Sequence, residues 1–516
     1  MDSDRFQFSK RLVLINSASS VATRILGITV LLWAYQFLIK RIDPEEFAVY
    51  PVIASIMVGA PLFFVMFSGG VNRYIVDAHV RGSDEEVTEV ASSVFPMLAL
   101  AAAVFVSAGT LLAFNIERVL NIPEAMVGDA RLMLMLLVAA FAFRMLLIPY
   151  EAAFYVRQRF VELNLLTIVQ EGLRSLLLLV FLLALGPQVL WLAVAMAISD
   201  AVYVILMALR GARLLPTVRF RLASVNPRRA RQLVSFGAWT SLGQLSAVIL
   251  MNSGVIILNL FSTAVNVTGF HIGSMLYTHI NRTMQMALRP LHPVMTAMNA
   301  TGDDRRLAAV AMRGGRYACW TGLALAVPLA IYAEEFMALF AGEELRPLFG
   351  VLVLFMVLLV FSRPTVLLTT AAIAKARVGA FYAASFAVML LGVGGMVYAA
   401  AAGLGAVGVT AMLVGAIFLG HLLFFWPLFL TLLGVRAAEM LREVVVPGLA
   451  PAAAGGAVWL ILKEMAPIES WSALLLCALP GGIAYAAALF AGCLTAADRA
   501  DLNGLLQRLR ARSAPL

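Results

Sequence analysis

Long apolar runs, each about the length of a helix that crosses a membrane, recur along almost the whole chain. The hydrocarbon core of a bilayer is roughly 30 Å thick and needs about 20 apolar residues per helix. Hydrophobic residues make up 62% of the 516 positions and charged residues only 13%, whereas soluble proteins carry about 25% charged residues. Such a chain has too little polar surface to fold in water. The sequence therefore predicts an all-α polytopic membrane protein.

Fourteen runs are long enough to be transmembrane helices. They cover residues 12–39, 47–72, 91–114, 131–156, 164–186, 188–210, 233–261, 264–298, 317–341, 348–374, 378–402, 404–432, 444–463 and 470–494. The least distinct boundary lies in the apolar stretch from 378 to 432, which only Gly403 and its neighbouring glycines interrupt. An even number of spans places both termini on the same side of the membrane.

The lysine and arginine residues lie mainly on one side of the predicted membrane. If the N-terminus is cytosolic, the loops on that side carry 26 of them, the opposite loops carry 6, and 6 arginines lie within spans. This bias agrees with the positive-inside rule, and a missed span would have scrambled it downstream. We therefore expect cytosolic N- and C-termini. The net charge of +9 requires no nucleic-acid partner, because the excess lies where cytosolic loops meet anionic lipid head groups.

A basic segment separates the sixth predicted span from the seventh, and its seven arginines run from Arg210 to Arg231. It divides the first twelve spans into two sets of six that both start at the cytosol, as expected for a parallel repeat. The last two spans are rich in Ala and Gly, so we expect a peripheral pair. The predicted organisation is a cytosolic N-terminus (1–11), an N-terminal lobe (12–210), a basic cytosolic linker (211–232), a C-terminal lobe (233–432), an additional helix pair (433–495) and a cytosolic tail (496–516).

Away from the external end of the ninth span, which carries Glu334 and Glu335, arginines in the predicted spans outnumber acids two to one. The arginines are Arg24, Arg144, Arg174, Arg282, Arg289 and Arg363, and the acids are Glu151, Glu171 and Asp200. With each of these three acids paired, three arginines remain, at a cost of about 8–10 kcal/mol unless they face water or an anion. Guanidinium groups suit phosphate oxygens. The excess therefore predicts a hydrated cationic cavity and an anionic cargo, with phosphate or pyrophosphate as the leading groups.

The eighth predicted span carries a polar stripe along one face. Its members recur at steps of three and four, which is one side of a helix: His271, Met275, Thr278, Arg282, Gln285, Arg289 and His292. At 1.5 Å per residue the stripe extends roughly 31 Å, so it lines a hydrated cavity or a protein interior. His279 flanks it, and a weaker stripe on the seventh span includes Gln244 and Asn252.

Several of these charges have a structural interpretation that competes with the functional one. Glu171 and Arg174 are three residues apart, which favours a mutual ion pair. For Arg144 and Glu151, the sequence favours a mutual ion pair and a role in binding equally. Asp200 either caps a network or couples transport to a proton or a cation. No set of His, Cys and acidic residues has metal-ligand spacing, so we expect no metal and no cofactor.

Several segments resemble those of a known family. Residues 37–56, FLIKRIDPEEFAVYPVIASI, are similar to the segment that joins the first two spans of polysaccharide exporters, with Ala48 where a glycine is usual. The segment SGGVNRYIVDAHVRGSDEEV, from Ser68, is similar to that family's exit from the second span. VNVTGFHIGSMLY and LHPVMTAMNATGDDRRL resemble its eighth span and the exit that follows. Residues 1 to about 495 thus resemble the Wzx-type flippases of the multidrug/oligosaccharidyl-lipid/polysaccharide (MOP) superfamily.

The resemblance implies two pseudo-symmetric six-helix lobes around a central cavity, rocking between inward- and outward-open states. It implies an undecaprenyl-pyrophosphate-linked oligosaccharide as cargo, a bacterial inner-membrane location, and a pyrophosphate-binding role for Arg24 and Arg282 on the first and eighth spans. The full set of predicted substrate-binding residues is Arg24, Arg144, Arg282, Arg289, Arg363, His279, Gln285, Gln244 and Asn252. Glu151, Glu171 and Asp200 are the candidates for coupling to protons or sodium.

Other functions compete with this interpretation. A multidrug or organic-ion exporter of the same superfamily would need an acid-dominated cavity. A glycan polymerase or ligase would need sizeable outward loops, and the predicted outward loops are short. A membrane subunit of a polysaccharide synthase or export complex is a further alternative, because a transporter can assemble with glycosyltransferases or polymerases. We expect membrane lipids and the lipid-linked oligosaccharide as partners and no enzymatic chemistry.

Overall fold

The computed structural model of the protein describes residues 27–499, except 82, 158, 289–290, 292–294, 296–297, 300, 376, 466 and 495–497. Regular secondary structure in this part of the chain is helical, without a strand. Nine of the described helices are long and apolar enough to cross a membrane, and ten if one bent pair counts as a single span. The predicted fold class, an all-α polytopic membrane protein, is confirmed.

The chain divides into two compact units. The first comprises Met1–Thr268 with Ala400–Gly405, and the second comprises Gly269–Ala399 with Ala406–Leu516. The first unit therefore includes the whole helix Pro227–Phe261, of which the sequence analysis assigned residues 233–261 to the C-terminal lobe. The division into lobes at residues 211–232 stays a prediction.

The helices of the first unit follow the predicted spans, with breaks. They are α1 (Gly27–Ile39), α2 (Pro44–Ile56), α3 (Ala60–Val80), α4 (Asp84–Phe114), α5 (Ile116–Val119), α6 (Val127–Leu146), α7 (Ile148–Val156), α8 (Phe160–Ala184), α9 (Leu190–Leu214), α10 (Pro227–Phe261) and the first turn of α11 (Ala264–Leu288). The second predicted span consists of α2 and α3 joined by the 3₁₀ turn Met57–Gly59, and the fourth consists of α6 and α7. A proline lies in the first turn of both α3 and α7, where proline begins a helix readily because its missing N–H is not needed.

Local sequence explains where α4 and α10 begin. Ser83 caps α4 by accepting a hydrogen bond from the backbone N–H of Glu86 at 3.1 Å, and the acids of the first turn favour the positive end of the helix dipole. Asn226 caps α10, with Pro227 at its first position. A buried apolar cluster joins α3, α4 and α7 to Leu215 and Val218 of the segment that precedes α10. The chain between α9 and α10 is therefore packed on the helices.

The second unit contains the remaining helices. They are the rest of α11, α12 (Asp304–Ile331), α13 (Ala333–Ala341), α14 (Phe349–Phe361), α15 (Leu368–Ala374), α16 (Val378–Ala401, its last two residues excepted), α17 (Gly405–Gly420, after its first residue), α18 (Trp426–Leu433), α19 (Ala437–Met440), α20 (Val446–Met465) and α21 (Trp471–Ala488). Three π-helical segments, His421–Phe425, Leu441–Val445 and Leu489–Cys493, continue their neighbours. The helices α12 and α13 are bent by 72° at Tyr332. The tenth predicted span, 348–374, is interrupted between α14 and α15.

The final helix pair, α20 and α21, packs closely through small residues. A Cβ on Gly481 would lie 2.2 Å from Nε1 of Trp459, so only glycine permits this approach. Hydroxyl groups attach the pair to α12 and its bend: Tyr485 donates to the carbonyl of Trp320 at 2.8 Å, and Tyr332 donates to the carbonyl of Trp459 at 2.9 Å. The pair belongs to the second unit.

A buried ion pair ties the chain beyond α21 to α12. Asp498 is 1% exposed and accepts hydrogen bonds from Nη2 of Arg316 and from the hydroxyl of Tyr317, each at 2.7 Å. The sequence analysis placed Asp498 in a cytosolic tail and gave it no partner. Because breaking a buried pair leaves an uncompensated charge, this contact fixes the start of the tail on the second unit.

The contact between α7 and α9 provides a test of the packing. Gly211→Ala places a Cβ 2.4 Å from the backbone oxygen of Tyr150, and overpacking costs about 1–3 kcal/mol. We expect a lower Tm of the purified protein in detergent. The control is Gly172→Ala on α8, where the added Cβ meets nothing within 4 Å and alanine is preferred to glycine in a helix by ~1 kcal/mol. Equal melting temperatures for the two variants would contradict the structure.

Candidate functional site

Arg363 lies in the break between α14 and α15, where the backbone of residues 362–367 leaves the helix. Pro364 follows it, and a proline disfavours the helical conformation of the residue before it. Non-helical backbone at membrane depth is tolerated only where it is buried in protein or lines a wet cavity. In transporters, such discontinuous helices form substrate sites. The break therefore marks this part of the second unit as a candidate site.

The Arg363 side chain is buried, 3% exposed, and its hydrogen bonds go to neutral groups. Nη2 donates to Oδ1 of Asn281 and to Oγ of Ser362, each at 2.8 Å. Nε and Nη1 are buried and have no hydrogen-bond partner in the described part of the chain. Asn281 also accepts a longer hydrogen bond, 3.5 Å, from Nε2 of Gln285. The amide of Asn281 thus joins Arg363 to the predicted binding residue Gln285.

Apolar and neutral side chains surround this guanidinium. Tyr277, Cys319 and His421 are the buried titratable groups that interact with it electrostatically, and no carboxylate of the described residues forms an ion pair with it. Gly322 permits the approach, since a Cβ there would lie 3.1 Å from Cγ of Arg363. Arginine stays charged in proteins. The second unit therefore holds a buried positive charge that no described carboxylate neutralises.

The described part of the polar stripe lies on α11. Arg282 and Gln285 are exposed, and His279 is half-buried, while the backbone oxygen of His279 accepts from the Thr283 hydroxyl at 2.9 Å. Arg282, Gln285 and His279 all belong to the second unit with Arg363. The other end of the stripe, with Arg289 and His292, lies outside the described residues.

Charged groups of the first unit form a separate cluster, in which an ion pair lies within electrostatic reach of a third charge, Asp200. Arg174 forms an ion pair with Glu171, which is the structural pairing that the i,i+3 spacing favoured. Asp200 accepts a hydrogen bond from the amide of Gln170. This cluster carries the coupling candidates Glu171 and Asp200, and that role stays a prediction.

Arg144 is placed differently from Arg174. Its guanidinium lies over the rings of Phe64 and Tyr203, with distances to the ring centroids of 4.7 Å and 5.6 Å. Glu151 is close enough to interact with Arg144 electrostatically and forms a hydrogen bond with Tyr155. Arg144 and Glu151 thus share a neighbourhood without a direct ion pair.

The charges in the spans therefore balance differently in the two units. The described interior of the first unit holds two arginines, Arg144 and Arg174, and three acids, Glu151, Glu171 and Asp200. The described spans of the second unit hold Arg282 and Arg363, and the two acids there, Glu334 and Glu335, form ion pairs with Arg346 and Lys463. The cationic excess expected from the sequence is thus located in the second unit, as far as the described residues extend.

The remaining predicted residues give less information. Arg24 lies outside the described residues, and so does the side chain of Gln244 on α10. Asn252 donates to the carbonyl of Val248 in its own helix at 2.8 Å. No group of three or more His, Cys, Asp or Glu residues in the described chain could hold a metal ion.

Sequence analysis missed a polar contact at the end of α10, on the predicted external side. The backbone N–H of Asn121 donates to Oδ1 of Asn259 at 3.0 Å, and the amide of Asn259 donates back to the carbonyl of Asn121 at 2.8 Å. The amide of Asn121 also donates to the carbonyl of Asn259 at 2.7 Å. This contact, the Asn121–Asn259 clamp, joins the loop before α6 to α10. Single asparagines in a loop and at a helix end gave no signal of it.

The clamp borders an open cavity of about 450 Å³ within the first unit. Glu45 and Thr263 contribute polar groups to its wall, and Ala48 and Val52 contribute apolar ones. Both clamp residues line this cavity, so we expect the clamp to limit access to it.

Asn259→Ala tests the clamp. The change removes the reciprocal side-chain bonds, each with a net contribution of about 0.5–1.5 kcal/mol, so we expect the cavity to open more often. In a cysteine-free background carrying Ala48→Cys, a membrane-impermeant maleimide added outside should label residue 48 several times faster. The control is Asn115→Ala, because the Asn115 amide bonds only to the carbonyl of Leu111 in the same helix. Unchanged labelling in Asn259→Ala would refute a closing role.

Comparison with known proteins gives one family match and one curated relative. The model of a family described as "Polysaccharide biosynthesis protein" matches residues 9–299. "Uncharacterized membrane protein EpsK" of Bacillus subtilis (strain 168) is 24% identical over 339 residues, which is 64% of this chain. The match spans 65% of the length of that relative, slightly less than two thirds.

Solved structures share the fold. "Lipid II flippase MurJ, inward closed conformation" aligns with a TM-score of 0.70 at 13% identity and covers 92% of this chain and 98% of that one. The inward-facing conformation of a multidrug resistance MATE family transporter of the MOP superfamily aligns with a TM-score of 0.65 at 16% identity, over 80% of this chain and 98% of that one. The resemblance that the motifs predicted is confirmed: the chain has the fold of these membrane transporters.

Proposed function

Because the chain belongs to the family of polysaccharide biosynthesis proteins, we propose that it is a flippase for an anionic polysaccharide precursor. The cargo would be an undecaprenyl-pyrophosphate-linked oligosaccharide or a related lipid-linked saccharide, moved across the bacterial inner membrane by alternating access. The observation that carries the proposal is the buried guanidinium of Arg363, which the described carboxylates leave without a counter-charge.

The energetics of Arg363 favour an anionic guest. A charge at the bilayer centre costs ~2.5–3.5 kcal/mol on insertion scales, and a buried charge normally has a charged partner. Here the partners are an amide and a hydroxyl. Two guanidinium nitrogens remain available among the described contacts. A phosphate oxygen would supply both the missing acceptor and the missing charge, with the short, strong geometry of charge-assisted hydrogen bonds.

The neighbouring groups support the same proposal. Asn281 holds the guanidinium and is itself held by Gln285, so the amides orient the arginine without neutralising it. Arg282, exposed on the same helix and in the same unit, would add a second positive charge for a pyrophosphate. The lipid tail would remain in the bilayer while the head group binds, and no bond in the cargo would break. The protein would contribute by binding the cargo with a different affinity in each of its conformations.

Arg363→Gln tests the proposed site. Hydrogen bonds to charged groups contribute about 1.5–3 kcal/mol, so we expect binding of the lipid-linked pyrophosphate to weaken about ten- to hundredfold and surface polysaccharide to fall. The measurement combines a cell-surface glycan assay with immunoblotting of the membrane fraction. Lipid-linked precursor should accumulate on the cytosolic leaflet.

Arg377→Gln is the matched control for this substitution. Arg377 is exposed beyond the same predicted span, so its loss should leave export unchanged. Arg363→Lys keeps a positive charge but loses the planar fork, and we expect partial export. Normal export by Arg363→Gln at normal protein levels would refute the proposed site.

A second candidate function, export of organic cations, is favoured by one observation: the described interior of the first unit has more acids than arginines. Asp200→Asn distinguishes the two functions. If the cargo is a cation, the substitution should abolish drug efflux and leave surface polysaccharide intact. If the cargo is the lipid-linked saccharide, drug resistance should be unaffected, and any defect should appear as reduced export.

A further inference from the structure

Residues 215–226 connect α9 to α10 and form a strap along the start of α4. The strap has little regular structure, apart from the 3₁₀ turn Leu222–Ser224. It begins directly after the apolar helix Leu190–Leu214. Because an extended residue covers about 3.3–3.6 Å, every part of the strap stays within a short reach of the membrane surface.

Hydrogen bonds hold the strap on α4. The Thr88 hydroxyl donates to the carbonyl of Thr217 at 2.9 Å. The Ser92 hydroxyl donates to the carbonyl of Arg219 at 3.2 Å and accepts from the backbone N–H of Arg221 at 2.9 Å. The backbone N–H of Asn226 donates to Oγ of Ser93 at 2.8 Å. The direction of the exposed face is therefore determined by the backbone and does not depend on its side chains.

The exposed face combines positive charge with large apolar groups. Phe220 is 51% exposed and Leu222 is 78% exposed. Four exposed arginines flank them in the sequence, two in the strap and two at the adjoining helix ends, and none forms an ion pair with a described residue: Arg213, Arg219, Arg221 and Arg228. Nearby arginines differ, since Arg210 bonds to Glu162 and Arg229 to Glu86, each at 2.6 Å. Arg210 and Arg229 thus have carboxylate partners, whereas the four arginines of the exposed face have none among the described residues.

We propose that this face of the strap docks on anionic phospholipid head groups of the adjacent leaflet. Basic residues close to a membrane are attracted to anionic lipids, and exposed Phe and Leu side chains enter the interface between head groups and acyl chains. An acidic protein surface would account for the arginines but would not account for the apolar pair at this position. The side concerned is the one that the arginine distribution predicts to be cytosolic.

Docking would anchor the starts of both α4 and α10 to the leaflet, because the strap bonds to one helix and leads into the other. Transport would then depend on the lipid composition of that leaflet. This inference does not rest on the identity of the cargo.

A fluorescent label on the strap tests the proposal. Ala223→Cys, exposed in the 3₁₀ turn, is introduced into a cysteine-free protein and labelled with an environment-sensitive dye. The protein is placed in nanodiscs of phosphatidylcholine alone or mixed with phosphatidylglycerol, with a head-group spin label as quencher. We expect quenching to increase severalfold with phosphatidylglycerol and to weaken at high salt, because salt screens the attraction.

Two variants separate the paired from the unpaired arginines. Changing Arg213, Arg219, Arg221 and Arg228 together to Gln should remove the dependence on phosphatidylglycerol. Changing Arg210 and Arg229 to Gln should preserve it. Equal quenching in both lipid mixtures would overturn the proposal. The Tm of each variant checks that the strap remains folded.

Discussion

The second unit of this membrane protein contains a buried positive charge that no described carboxylate neutralises. Arg363 is buried in the break between two half-helices, and an amide and a hydroxyl hold one side of its guanidinium. At this point the backbone is not helical and the side chain is charged, and both features are unusual within a membrane-spanning segment. An unneutralised buried charge is costly, so this arrangement is expected at a place where an anion binds. This constraint is the reason for proposing that the cargo binds in the second unit.

The first unit compensates the charges within its spans in a different way. The arginines in its described spans are compensated locally: Arg174 forms an ion pair with Glu171, and Arg144 lies over the ring of Phe64. A unit whose charges satisfy one another is suited to coupling, because protonation or cation binding would disturb a balanced network. A unit with a buried positive charge that no described carboxylate neutralises is suited to binding a phosphate. If the first unit couples to an ion and the second unit binds the cargo, ion binding and cargo binding would each shift the same conformational equilibrium.

Hydropathy was sufficient to predict the fold class, because it reports directly on the bilayer. It could not locate the breaks. Pro96 and Pro328 lie inside continuous helices, whereas Pro364 follows the end of one, so proline alone does not decide where a span is interrupted. The outcome at each proline also depends on tertiary packing, which is not visible in a single sequence.

The candidate site was predictable in part for the same reason. Arg363 stood out as a charge in an apolar run, but its partner Asn281 lies 82 positions away and looked like one polar residue among many on its helix. The Asn121–Asn259 clamp and the attachment of Asp498 to Arg316 also join distant segments. Pairing of this kind requires the fold before it can be recognised.

A structure of the protein with a bound lipid-linked pyrophosphate saccharide would test the central claim most directly. The account predicts phosphate oxygens within hydrogen-bonding distance of Arg363, on the nitrogens that have no described partner, with Asn281 retaining its contact. A head group bound only among the acids of the first unit, with Arg363 still surrounded by neutral side chains, would contradict it.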